Sequence, residues 1–149
     1  MLSNACKYAI RAILYLAIHS DKTHKIGVKK IADEIEIPKA FLAQLLRQLT
    51  ANKLISSAMG PGGGFFLDPK NKEKSVWDII SCIDGTYKLD QCFLGLSECN
   101  DENPCPAHYI VSPFKKKLLS DFRDKTISKL AEEIERKGTL LSLKGFEPS

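Results

Sequence analysis

The chain has 149 residues, of which 44% are hydrophobic and 27% charged, and carries a net charge of +4. That composition describes a globular protein with one good core, or one small domain plus an oligomerisation element, and argues against a membrane protein. Residues 1–72 hold 11 Lys and Arg against 5 Asp and Glu, and the remainder holds 11 against 13. The first part therefore carries +6 and the rest −2, a basic surface that is compatible with a phosphate-rich partner.

In chain order, Ser3 can cap a helix running to about His19, whose apolar positions cover most of its circumference. Lys7 and Arg11 interrupt this stretch and no secretory cleavage pattern follows it, so it reads as a helix of a cytoplasmic protein. Residues 21–27 form a polar connection without periodicity. A short helix from about Val28 to Ile35, a tight break at Glu36 and Ile37, and a second helix with Pro38 as its first residue then follow. Ile31, Ala32, Ile35, Ile37, Phe41, Leu42, Leu45, Leu46 and Leu49 give the two helices apolar faces that must meet, which is the pattern of a helix-turn-helix.

The outward face of the second helix carries Lys39, Ala40, Ala43, Gln44, Arg47 and Gln48 and no acidic residue. Gln pairs with adenine and Arg with guanine in the major groove, and Ala lets a helix sit deep or touch a thymine methyl. An ordinary solvated face is the competing reading. Two short strand-like runs, Leu54–Ser57 and Phe65–Leu67, are joined by Gly60, Pro61, Gly62, Gly63 and Gly64. A hairpin directly after a helix-turn-helix is a wing, with Gly62 and Gly63 bringing bare backbone to a phosphate or groove. A nucleotide-binding loop would need a Gly-Lys-Ser/Thr ending, which this run lacks.

Ser75 caps a short helix to about Asp84, with Cys82, like Cys6 on the first helix, read as packing. The next stretch is CFLGLSECNDENPCPAH, in which six residues separate Cys92 from Cys99, five separate Cys99 from Cys105, and two separate Cys105 from His108. Its Gly, Asn and Pro residues favour turns. Three thiolates and an imidazole on such a loop are a donor set for zinc or for an iron–sulfur cluster. Five cysteines, three of them clustered in a chain without a secretory pattern, argue for reduced thiols or metal over a disulfide framework. Glu98, Asp101 and Glu102 read as solvating charge. Beyond the loop, apolar residues recur at helical spacing to about Asp124, with Pro113 restarting or bending the helix, and resume at Ile127 after a break near Thr126. Lys115, Lys116 and Lys117 read as a solvated face.

The order KYAIRAILYLA, helix-turn-helix, GPGGGFFL, VWDIISCIDG and three-cysteine loop resembles the winged-helix transcription regulators of the IscR, NsrR and CymR type over about residues 1–130. The resemblance implies a homodimer that binds double-stranded DNA. In cluster-bearing members it also implies an iron–sulfur cluster on three cysteines. By position Cys92, Cys99 and Cys105 match those ligands, His108 matches the fourth ligand of the IscR type, and Arg11 matches an arginine near the cluster in the NsrR type. Lys7 stands where that type has an acidic ligand, which favours a two-iron cluster with His108 over a four-iron one. Met59 stands where relatives commonly have Arg or Lys, and the first cysteine gap is one residue longer than their usual five.

The resulting expectation is a mainly α protein with a small β-hairpin wing and a long dimerisation helix. Residues 1–72 form the winged helix-turn-helix domain, with helix 1 also contributing to dimer packing. Residues 73–91 connect, residues 92–108 carry the cluster, residues 109–137 dimerise and residues 138–149 form a flexible tail. The function expected is DNA binding modulated by cluster status, redox state or nitric oxide. A structural zinc site or thiol switch in the same loop is the alternative. A cysteine enzyme is the third class; Cys105 and His108 lie close in sequence, but no oxyanion or substrate elements accompany them.

Overall fold

The computed structural model describes residues 2–144. Helix α1 (Asn4–His19) starts where the Ser3 hydroxyl accepts from the Cys6 N–H at 3.0 Å. The buried carboxylate of Asp84 accepts in turn from the Ser3 N–H at 2.8 Å and from its hydroxyl, which joins the start of α1 to a residue 81 positions away. Eight residues of α1 are buried, and they are covered by other elements of the same chain. Each fully buried Ile or Leu among them contributes roughly 1.5–3 kcal/mol. Helix 1, expected also to take part in dimer packing, is therefore largely enclosed within its own chain.

Helices α2 (Val28–Ile35) and α3 (Lys39–Ala51) are joined through Glu36, whose φ of 58° is left-handed. Ile31, Ala32 and Ile35 meet Leu42, Leu46 and Leu49 in the main core. Pro38 proves to be the cap and not the first helical residue, because its ψ of 128° is still extended and its carbonyl accepts the Leu42 N–H at 2.9 Å.

Strands β1 (Ser56–Ala58) and β2 (Gly64–Phe66) pair antiparallel, Ser57 opposite Phe65. The segment expected to be a plain connection supplies a third edge. Ile26 exchanges both backbone hydrogen bonds with Phe65, at 2.9 and 2.8 Å. Gly64 makes this approach feasible, since with φ at 146° a Cβ there would lie 2.8 Å from the Ile26 backbone.

A short helix α4 (Pro69–Lys72), absent from the sequence reading, follows a capping box of Asp68 and Asn71. Buried Asn71 also donates to the Lys53 carbonyl at 3.0 Å and accepts from Ser56 at 2.9 Å, so the wing is hydrogen-bonded to the end of α3. Helix α5 (Val76–Ile83) has the anticipated Ser75 cap, boxed by Asp78. After a single 3₁₀ turn (Lys88–Asp90) and the cysteine loop come α6 (His108–Asp124) and α7 (Ile127–Lys137).

Pro113 does not restart the helix, since α6 runs continuously past it. The chain turns sharply at Thr126, where Ile127 donates to the Lys74 carbonyl at 2.8 Å, and α7 packs Ile127 and Ala131 back into the core beside α1. Of the region expected to dimerise, α7 is thus used inside its own chain. The segment expected to be a flexible tail makes contacts as far as Ser142, which donates to Glu36 at 2.9 Å, while residues 145–149 lie outside the described part. Among the described residues no helix is long and apolar enough to cross a membrane.

Candidate functional site

On α3 the buried stripe of Leu42, Leu45, Leu46 and Leu49 turns the opposite face outward. Lys39, Ala40, Gln44 and Arg47 are exposed there and Ala43 is half-buried. Gln48 is exposed too, but its side-chain amide donates to the Cys82 carbonyl on α5 at 3.2 Å. The bond links α3 to α5, a use that side-chain spacing alone does not distinguish from the groove-reading role expected for it. The wing tip follows: Gly63 closes a turn onto the Gly60 carbonyl at 2.9 Å, and a Cβ on Gly63 would lie 2.4 Å from the Ala58 oxygen. Gly62 is exposed beside it, and Met59 is 98% exposed.

The cysteine loop is organised as two pairs. Cys92 and Cys105 are both buried, and the Cys105 thiol is near enough to bear on the Cys92 thiol. The Leu96 backbone N–H, with those of Leu94 and Gly95 and the Cys105 thiol, holds the Cys92 thiol below its ordinary range against the opposing effect of burial. Cys99 forms the second pair, its sulfur 3.8 Å from Nδ1 of His108. His108 is 4% exposed and is the first residue of α6; its N–H reaches the Cys105 carbonyl at 2.9 Å, which folds the CPAH segment into a turn.

Asp101 and Lys115, both read from sequence as solvated charges, are part of this arrangement. Asp101 Oδ1 lies 2.8 Å from Nε2 of His108, and this hydrogen bond, aided by Lys116, holds the Asp101 carboxyl below the usual range. The Lys115 ammonium donates to the Gln91 carbonyl and lies 3.6 Å from the Cys99 sulfur. Cys99, Asp101, His108 and Lys115 line a cleft of about 130 Å³. Sequence offered no periodic signal for these two residues, because each acts through a loop whose path local rules do not set.

Among the described residues no three His, Cys, Asp or Glu side chains are gathered as one metal-holding group, and the four expected ligands stand as two pairs. None of the five cysteines is in a disulfide. The donor chemistry fits an iron–sulfur or zinc centre: three thiols, one backed by backbone N–H groups, and an imidazole whose second nitrogen is already engaged. Arg11, expected near a cluster, has other partners. Its guanidinium donates to the Leu141 carbonyl at 2.6 Å and to the Ile35 carbonyl at the end of α2, where helix carbonyls lack partners of their own.

Two helices joined at a left-handed residue, an outward second helix and a β-hairpin beside it define a winged helix-turn-helix protein. Residues 2–133 match the profile of the Rrf2 family, described as iron-dependent transcriptional regulator, and the chain belongs to that family. It is 33% identical over 132 residues to an HTH-type transcriptional regulator of Aquifex aeolicus (strain VF5), covering 87% of this chain and 90% of that one. To the HTH-type transcriptional regulator IscR of Klebsiella pneumoniae (strain 342) it is 28% identical, covering 90% and 81%. The fold resembles that of CymR, the global cysteine regulator of B. subtilis, with a TM-score of 0.69 at 21% identity over 89% of this chain and 96% of that one. It also resembles T. potens IscR, with a TM-score of 0.68 at 21% identity over 94% and 92%. The protein is a transcriptional regulator of the Rrf2 family, a class that is not enzymatic.

Proposed function

We propose that this protein is a cytoplasmic, homodimeric regulator that binds double-stranded DNA, with Cys92, Cys99, Cys105 and His108 holding an iron–sulfur cluster, a two-iron cluster ahead of a four-iron one. The observation that carries the reading is a continuous chain of contacts from loop to reader. The loop ends in His108, which begins α6; α6 packs on α5; and α5 accepts the hydrogen bond of Gln48 on α3. A change in how the four donors are held alters where α6 starts and hence how α5 supports α3.

Gln44 and Arg47 read base edges in this proposal, with Lys39, Ala40 and Ala43 lining the approach and the Gly62–Gly63 backbone meeting phosphate. Two such helices in a dimer address half-sites about 34 Å apart, one DNA turn. A bound cluster supplies one-electron redox chemistry and reactivity toward oxidants and nitric oxide. The protein's share is to fix the donors: the N–H groups of Leu94, Gly95 and Leu96 favour thiolate at Cys92, and burial of Cys92, Cys105 and His108 limits solvent access.

Protein purified without oxygen tests this directly, with its absorption spectrum, iron, sulfide and zinc content and its affinity for promoter DNA measured on one sample. Visible charge-transfer bands, matched iron and sulfide, and affinity that changes on cluster removal are the expected result. A colourless protein with one zinc per chain overturns the cluster reading and leaves a structural metal. A thiol switch is the second reading, since Cys92 and Cys105 are both free and buried and the Cys105 thiol helps to lower the pKa of Cys92. There hydrogen peroxide would take two electrons and two protons from the pair, forming one S–S bond and two waters. Metal-free protein that gains that disulfide and loses DNA affinity would establish it.

A further inference from the structure

Resting on the reading of the loop as a cluster site, a narrower question is which nitrogen of His108 faces the metal. His108 has two engaged nitrogens: Nε2 lies 2.8 Å from a carboxylate oxygen of Asp101, and Nδ1 lies 3.8 Å from the Cys99 sulfur. A carboxylate has no proton to give, so the Nε2 contact requires the proton on Nε2. With that proton on Nε2, Nδ1 is the nitrogen left to bind a metal, and it lies on the side where Cys99 stands. Lys115 holds that side in register, since its ammonium bridges the Cys99 sulfur and the Gln91 carbonyl next to Cys92.

We propose that Asp101 is a positioning residue that fixes the tautomer of His108, so that His108 and Cys99 present Nδ1 and Sγ together as ligands. One oxygen of the carboxylate faces His108 and the other lies 4.0 Å from the Lys116 ammonium. The carboxylate sits at the solvent-facing rim of the site, 75% exposed, while the imidazole it holds is 4% exposed. A ligating histidine whose other nitrogen donates to a carboxylate is held in one orientation and made more basic, and losing such a partner lowers metal affinity about ten- to hundred-fold. Asp101 precedes the ligand by seven residues across a Pro-containing turn, so this pairing is a product of the loop's fold.

The test uses full-length protein labelled with ¹⁵N at histidine, first reduced and metal-free, then reconstituted with iron and sulfide. In the metal-free wild type, long-range ¹H–¹⁵N correlation spectra should show His108 as the Nε2–H tautomer. Asp101→Ala should mix the two tautomers, and Asp101→Asn, whose NH2 can donate to an unprotonated Nε2, should shift His108 toward the Nδ1–H form. Circular dichroism verifies that each variant is folded. In the reconstituted protein, Asp101→Ala should release iron to a chelator about ten- to hundred-fold more readily than wild type. An Nδ1–H tautomer in wild type, or a His108 spectrum unmoved by Asp101→Ala, overturns the role of Asp101 whatever the metal content. Wild type that takes up no iron and sulfide while showing the expected tautomers overturns the cluster reading and with it the ligand assignment, but leaves Asp101 as the residue that orients His108.

Discussion

Arg11 shows how one side chain can answer a structural need that its place in the sequence does not announce. It reaches across from α1 to the last carbonyl of α2 and to Leu141, 130 residues away, and so closes the open end of a helix with a charged donor. Hydrogen bonds from charged groups contribute about 1.5–3 kcal/mol. Arg11→Met should therefore lower the stability of metal-free protein by about that amount, with the urea midpoint falling and the slope unchanged. An unchanged midpoint in metal-free protein would return Arg11 to a role that needs the cluster. The same logic separates Gln44 from Gln48, two identical residues one helical turn apart. One is exposed without a partner among the hydrogen bonds described, and the other is tied to Cys82.

At the scale of elements, α3 is held from behind by its leucines and from the side by α5, so that its outward face is presented by a rigid rod. Gln44→Ala and Arg47→Ala should each reduce discrimination between operator and scrambled DNA by about 1–3 kcal/mol in fluorescence anisotropy titrations. Gln48→Ala should spare that discrimination and lower folding stability by about 1 kcal/mol. Helix α7 is locked differently. Lys125 holds the Glu133 carboxyl below its usual range through hydrogen bonds of 2.7 and 2.9 Å, with Lys137 and Arg136 adding to the effect.

A carboxyl whose folded value is depressed binds fewer protons folded than unfolded, so its stabilisation is complete above the ordinary value of about 4.3 and is lost as pH falls through the lower folded value. Between about pH 5 and pH 3 the wild type should therefore lose more stability than Glu133→Gln, measured as the shift in urea midpoint across that interval. Parallel curves for the two proteins would show that the Lys125 contact contributes nothing.

For the whole molecule the deciding surface is α6. With α1 enclosed and α7 folded back, Tyr109, Ile110 and Phe114 on α6 are left 75%, 80% and 55% exposed, close to the exposed Phe93, Leu94 and Leu96 of the cysteine loop in sequence. Exposed apolar residues such as these mark an interaction face, and in the function proposed above its occupant is a second copy of the chain. Ile110→Glu together with Phe114→Glu should convert a dimer to a monomer in sedimentation velocity while circular dichroism stays the same, and should weaken operator binding with it. A dimer that persists in that variant would move the interface elsewhere.

Much of this protein is legible from its sequence because much of its local structure is set within a few residues. The Ser3, Ser75 and Thr126 starts follow from caps and breaks, the α2–α3 pair from apolar spacing, and the wing from its glycines, each stabilised by groups one turn away. The loop's candidate donors are equally visible as a composition, three cysteines and a histidine among turn residues. Tertiary structure alone decided the partners: Ile26 as a third edge on the wing, Arg11 on Ile35 and Leu141, α7 against α1, Cys92 with Cys105, and Cys99 with a histidine oriented by Asp101. Caps and periodicity are local free energies that a short segment already contains. The choice of partner depends on which surfaces the folded chain brings within a few ångströms, and no segment carries that information by itself.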